Sequence, residues 1–362
     1  MSQAQLSQGV EVLLAFLTLA LAIGGGFLVA RAGARLGRRA TREREAEFRD
    51  QLDVYLERKL GGRELLHSAA GLDPDSFWAA LDASLDGFTS RARRELERVL
   101  DHSRHVSAER RALRDDAPWR RERAARRLGT LGARRHSRAL RRAMGAGPEF
   151  VTLAAAQALG RARDRRALEW LLAHPSVIEH RSPQLHIALL QSFGRGAAPV
   201  LLMALQRGVA TRRMERAAIE TLAWCGHLPA VPLIARALGH EWRDLRVSAV
   251  RALGTLGARE YATRVRSALD DEAWQVRAQA ARALGLLRDP DSVMALAARL
   301  DDRAWWVRRH AAYALFELGD AGRHALQRAA KAHADPYARE IAAEALSGGF
   351  PGNALGHRRA AP

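Results

Sequence analysis

With 48% hydrophobic and 27% charged residues over 362 positions, the chain has the make-up of a folded protein, which excludes wholesale disorder. A single cysteine, Cys225, excludes an internal disulfide framework and suits a reducing compartment. The net charge of +18 invites a polyanion partner, yet Lys59 and Lys331 are the only lysines, and a GC-rich coding sequence produces such an arginine bias without any ligand.

In chain order, residues 1–9 read as an extracytoplasmic N-terminus and residues 10–32 as a transmembrane helix. No charge interrupts Val12 to Ala30. At about 1.5 Å per residue this run covers about 28 Å, the depth of a bilayer's hydrocarbon core. A cleaved signal peptide is the rival reading. It needs basic residues ahead of the apolar run, and Met1–Gly9 has none, although the small residues Ala30–Ala34 could mimic a cleavage site. Arg31, Arg35, Arg38, Arg39, Arg42 and Arg44 follow the span and only Glu11 precedes it, which predicts an inner-membrane, single-pass protein with its C-terminal bulk in the cytoplasm. Arg35, Arg38 and Arg39 would also meet anionic lipid headgroups. Ala22, Gly26 and Ala30 form a small-residue strip suited to self-association of the membrane helix.

Residues 33–113 read as a basic juxtamembrane segment and a helical linker or stalk. Phe48, Leu52, Leu56 and Leu60 predict an amphipathic helix over 42–60, ended by Gly61-Gly62. Asp73-Pro74 predicts the start of a second, with Phe77, Trp78, Leu81, Leu85 and Phe88 on its apolar face. Residues 89–113 continue as helix, with Leu96, Val99, Leu100 and Val106. Between 111 and 146, twelve arginines stand against three acidic residues, half of the chain's excess charge. Arg120, Arg121, Arg134 and Arg135 are the candidates here for contact with headgroups or another polyanion, nucleic acid included.

From 114 to 347 the chain repeats. Leu222, Leu253, Leu284, Leu315 and Leu346 stand 31 residues apart, and Phe193, Leu159 and Leu128 extend the series backwards at gaps of 29, 34 and 31. Val276, Ala280, Ala283 and Leu284 lie on one helical face, as do Val307, Ala311, Ala314 and Leu315. The small residues Ala280, Ala281, Ala311 and Ala312 let helices approach closely. Gly254, Gly257, Gly285 and Gly319 are expected to end the first helices. A second amphipathic helix follows each, over Val231–Leu238, Tyr261–Leu269, Ser292–Leu300 and Ala325–Ala332. Acidic turns such as Asp270-Asp271-Glu272 then suit the positive end of the next helix. The fold expected is all-α: an α-solenoid of helical hairpins preceded by one transmembrane helix and a helical linker, with residues 348–362 a flexible C-terminal tail.

The run from Asp270 to Gly285, Asp-Asp-x-x-Trp-x-Val-Arg and then Ala-x-Ala-Leu-Gly, resembles the HEAT-like repeats of the phycobilisome-lyase type. The resemblance covers roughly residues 115–347. It implies a helical stack whose surfaces bind other proteins, and its enzymatic members give an alternative, a lyase or chaperone-like modifier of a cofactor-bearing protein. Deoxyhypusine hydroxylase resembles this architecture and holds iron through His-Glu pairs, which would fall six and five residues before the marker leucine. Those positions here hold Arg216-Ala217, Ala278-Gln279, Arg309-His310 and Glu340-Ile341. No metal, cofactor or catalytic residue is therefore assigned, and the chain is read as a non-enzyme. His102, His105, His186 and His310 read as surface or interface residues, and Cys225 as an inert thiol.

Two rows are candidates for binding. Arg246, Arg277, Arg308 and Arg339 are expected to pair with the acidic turns Asp270, Asp271, Asp301 and Asp302. The aromatic residues Trp242, Trp274, Trp305, Trp306 and Tyr337 stand at repeat junctions. Adjacent helical positions point about 100° apart, so Trp305 and Trp306 are expected to differ in burial. Trp274, Trp305 and Trp306, with Arg264, Arg266 and Arg299 on the second helices of a curved inner face, are the candidate contacts for a membrane-associated protein partner. The expected function is a membrane-anchored scaffold or adaptor, with a nucleic-acid or polyanion binder as the alternative.

Overall fold

The structure, a computed structural model, describes residues 41–57, 61–85, 89–132, 134–208 and 211–348. The predicted membrane span, Arg35, Arg38 and Arg39, and the predicted tail beyond 348 lie outside the described residues. The described elements are helices, 3-10 turns and loops. The chain divides into two units, Met1–Ala139 and Leu140–Pro362.

In the first unit, α1 covers 41–56, and Phe48 and Leu52 on its apolar face are fully buried. The expected helix end at Gly61-Gly62 is instead the start of another helix. Gly61 caps this one, α2 (Gly62–Ala70), where its N–H donates to Glu64. The Asp73-Pro74 start of α3 (Pro74–Ser84) is as expected: the Asp73 carboxylate accepts from the N–H groups of Asp75 and Ser76. The expected helix over 89–113 is two, α4 (Ser90–Leu100) and α5 (Arg104–Ala112), because Ser103 turns the chain and caps α5 by accepting from Val106 N–H. α6 (Pro118–Thr130) follows. Phe77 sits in the core against Phe48, edge-on to Trp78 and stacked at 4.4 Å on the buried His105 ring. Burial holds that imidazole below its ordinary pKa, and Nε2 stands 2.9 Å from the Ala69 carbonyl.

The second unit alternates first and second helices. α7 (Ser137–Ala146) leads from one unit into the other; then come α8 (Glu149–Arg161), α9 (Arg165–Ala173), α10 (Pro183–Ser192) and α11 (Ala198–Gln206). The regular part follows: α12 (Arg212–Cys225), α13 (Val231–Arg236), α14 (Arg243–Leu256), α15 (Ala262–Ser267), α16 (Trp274–Leu287) and α17 (Val293–Ala298). It ends with α18 (Trp305–Glu317), α19 (Asp320–Ala332) and α20 (Pro336–Leu346). The second helices α13, α15 and α17 are shorter than expected, because 3-10 turns take up both of their ends.

The even-numbered helices from α8 to α20 pack on one another in sequence, and α13, α15 and α17 each lie against the first helix that follows. The markers Leu159, Phe193, Leu222, Leu253, Leu284 and Leu315 are buried in this layer, as is Leu128 in the first unit; Leu346, on the last described helix, is only half-buried. Among the described residues no single helix is long and apolar enough to cross a membrane. The pair Pro183–Ser192 and Arg195–Gln206 passes that test jointly but is bent by 96°, and its Leu189, Leu190 and Leu201 are buried in the unit.

Two of the expected helix-ending glycines have another role. Gly254 and Gly285 lie inside α14 and α16, where a methyl group on Gly254 would stand 2.8 Å from Ala283 Cβ and one on Gly285 3.0 Å from Ala314 Cα. They set the close approach of successive first helices. The left-handed ends belong to Gly226, Gly257 and Arg288, with φ of 70°, 68° and 52°.

Candidate protein-interaction surface

The arginine row is an inter-repeat ladder. Arg246 donates through Nε and Nη2 to the two carboxylate oxygens of Asp271 at 2.8 and 2.9 Å, and Arg277 does the same to Asp302 at 2.7 and 2.9 Å. Their Nη1 groups reach back to the carbonyls of residues 240 and 241, and of 271 and 272, at 2.9–3.0 Å. Arg308 takes Asp335, at 2.7 Å, which is not among the four acidic residues expected to serve the row. Among the described residues, Arg339 in the last helix meets only the carbonyls of His333 and Ala334. Burial pushes the Asp302 carboxyl up, but the Arg277 hydrogen bonds and the Ala304 N–H outweigh it and hold the group below the usual carboxylate range.

The same turns hold a pattern that the sequence reading missed. His240, Asp271, Asp302 and His333 stand 31 residues apart, and each accepts the N–H two residues on, at 2.9–3.1 Å. Histidine stands at 240, where the preceding repeat offers Glu215 in the arginine register, and at 333, where Asp335 takes over as acceptor. The ladder is thus structural, and its members are engaged within the fold.

Two of the three second-helix arginines are likewise engaged. Arg266 pairs with Asp289 at 2.8 Å and Arg299 with Asp270 at 2.9 Å, whereas Arg264 is exposed. In the arginine-rich segment, Arg120 pairs with Asp115, Arg127 with Glu109 and Asp75, and Arg135 with Asp101, so its charge is partly neutralised inside the unit; Arg121 is half-buried and Arg134 exposed. Arg120 and Arg123 lie over the exposed Trp119 ring at 5.2 and 5.3 Å.

Of the aromatic row, Trp242 is half-buried and the other members are open. Trp305 and Trp306 are 49% and 50% exposed, so the expected difference in burial is overturned. Both stand in the first turn of α18, which leaves each about half exposed, and they pack edge-on against each other at 4.7 Å. Trp274 on the preceding repeat and Tyr337 on the following one are also exposed, which gives an aromatic stripe across three repeats. Arg309 lies over Trp305, and Arg308 over Tyr337.

His105 and His186 are buried, and His310 Nδ1 contacts the Ala278 carbonyl between repeats, as expected of interface residues; His102 is exposed. Cys225 is half-buried at the end of α12, and burial raises its thiol pKa. Among the described residues no three His, Cys, Asp or Glu side chains gather as a metal site requires.

The described residues form an all-helical repeat stack, and its later repeats are similar to HEAT repeats. A model of HEAT repeats matches residues 262–347, and, more narrowly, a model of the PBS lyase HEAT-like repeat matches residues 245–271. No curated protein matches. Among solved structures the chain is similar to human deoxyhypusine hydroxylase (21% identity, TM-score 0.29, covering 86% of this chain and 98% of that one). It is similar to the CpcE–CpcF complex of phycocyanin lyase from Nostoc sp. PCC7120 (22%, 0.26, 77% and 95%) and to a Kap121p mutant (13%, 0.45, 83% and 41%).

Proposed function

We propose that this chain is a non-enzymatic scaffold that binds a protein partner through its repeats, tethered to the inner membrane by residues 10–32 with the repeats in the cytoplasm. The observation that carries the scaffold is the stripe Trp274, Trp305, Trp306 and Tyr337, exposed on the successive first helices α16, α18 and α20. Large aromatic side chains left in water on a fixed frame are the residue types that dominate protein interfaces. The arginines Arg246, Arg277 and Arg308 hold the repeats in register, so that stripe is preorganised and little ordering entropy is lost on binding. The tether rests on the uncharged run Val12–Ala30 and the arginines that follow it. The partner would then lie at the membrane, with Arg35, Arg38 and Arg39 against anionic headgroups.

The test is affinity purification of the tagged full-length chain from native membranes in mild detergent, beside W305A/W306A. A defined partner retained by the parent and lost from the variant is expected. Identical co-purifying sets would overturn the assignment to this stripe, and release of the chain by alkaline carbonate washing would overturn the tether.

A further inference from the structure

The first helices carry another periodic row, two residues before each marker leucine: Glu220, Arg251, Arg282, Tyr313 and Glu344. On stacked helices these positions stand side by side. Glu220 accepts from Arg251 Nη2 and from Ser248 Oγ at 2.6 Å, and lies 3.9 Å from Arg216 Nε. One step on, the alternation of charge along the row stops, because Arg282 on α16 follows Arg251 on α14. Burial, together with the charges of Arg216 and Arg282, holds Arg251 below the ordinary arginine range, and burial does the same for Arg282. Arg251 still keeps 37% of its side-chain surface in solvent, and its Nε has no hydrogen-bond partner among the described residues. Two partly desolvated cations side by side make a place where an incoming anion gains more than at an open surface.

The row runs into the aromatic stripe. His310 Nδ1 lies 3.0 Å from the Ala278 carbonyl on the helix that carries Arg282, its ring lies 6.1 Å from Trp306, and Arg309 joins Tyr313 to Trp305 at 5.2 and 5.0 Å. We infer that this face, centred on Arg251 and Arg282 and bordered by Trp305 and Trp306, docks an acidic segment of the protein partner. Its carboxylates bind the paired guanidiniums as Glu220 binds Arg251, and its apolar side chains lie on the tryptophans. Glu220 is the built-in example of the chemistry the face accepts. Discrete carboxylates suit it better than a nucleic-acid backbone, since Glu220 and Glu344 stand in the same row and repel a continuous line of phosphates.

This inference rests on the scaffold reading and is tested apart from it. The full-length chain in mild detergent is titrated into a fluorescein-labelled peptide of alternating glutamate and phenylalanine, a lysine-for-glutamate version of it, and an oligothymidine, with anisotropy as the readout. The acidic peptide alone is expected to bind. R251Q/R282Q weakens it about tenfold or more, E220Q tightens it several-fold by removing the internal competitor, and R328Q, at an exposed position of α19, leaves it unchanged, with circular dichroism showing every variant folded. Equal affinity for parent and R251Q/R282Q, weaker binding by E220Q, or oligothymidine binding that depends on the same arginines overturns the inference. If the acidic peptide is ignored while a native partner still depends on Trp305 and Trp306, the inference falls and the scaffold stands. If neither binds, both fall.

Discussion

Replacing Arg277 by alanine removes the middle rung of the ladder. Arg277 and Asp302 keep only 16% and 4% of their side-chain surface in solvent, so the carboxylate is left buried with the Ala304 N–H as its remaining donor among the described residues. Two charge-assisted hydrogen bonds and two bonds to the carbonyls of Asp271 and Glu272 go together. Breaking a buried pair on one side costs about 3–5 kcal/mol, and some relief from water entering the gap puts the expected loss near 3 kcal/mol. Arg339→Ala, which forfeits only bonds to the carbonyls of His333 and Ala334, is expected to lose about 1 kcal/mol. The pH dependence gives a second readout. The Asp302 carboxyl is depressed in the folded chain, so its contribution is fully present above its unfolded pKa and is lost as pH falls through the lower folded value. Without Arg277 the dominant remaining influence is burial, which raises the folded pKa, so the deficit of R277A shrinks on acidification. Hydrogen exchange of peptides from 274–317, read at neutral pH and at about pH 4, measures both, because opening in a repeat stack is local. A loss of R277A no larger than that of R339A, or one that grows as pH falls, would refute the reasoning.

Gly254→Ala brings a methyl to 2.8 Å from Ala283 Cβ and 2.9 Å from its Cα, a backbone-linked obstacle that cannot rotate away. Overpacking of about 1–3 kcal/mol, offset by roughly 1 kcal/mol of helix propensity, predicts a net loss near 1 kcal/mol in a denaturant melt; a stabilised variant would contradict the close approach. The Cys225 thiol, raised in pKa by burial, is expected to react with iodoacetamide at neutral pH several-fold more slowly in the native chain than after unfolding. Equal alkylation rates would remove the inert-thiol reading.

Much of the repeat stack was legible because a single leucine period implies a single packing solution, and the markers from Leu159 to Leu315 occupy that interior. Glycine was ambiguous: the residue that tolerates a left-handed turn also permits a close helix crossing, and only the positions of Ala283 and Ala314 separate Gly254 and Gly285 from Gly257. The equal exposure of Trp305 and Trp306 was hidden because their directions about the helix were readable but the neighbours covering its first turn were not. The row from Glu220 to Glu344 was present in the 31-residue spacing, yet polar positions looked like solvated surface until stacking brought Arg251 beside Arg282. Arg266 and Arg299 looked available for the same reason, and their acidic partners lie 23 and 29 residues away in sequence.

Site-specific photo-crosslinking tests the scaffold most directly. A photoreactive phenylalanine is placed at position 306 of the full-length chain in its native cells, and a second chain carries it at position 228, where Leu228 is 61% exposed beyond the other end of a first helix. The account predicts a discrete protein adduct from position 306 and none from position 228. No adduct at 306, or the same adduct from both positions, would contradict it.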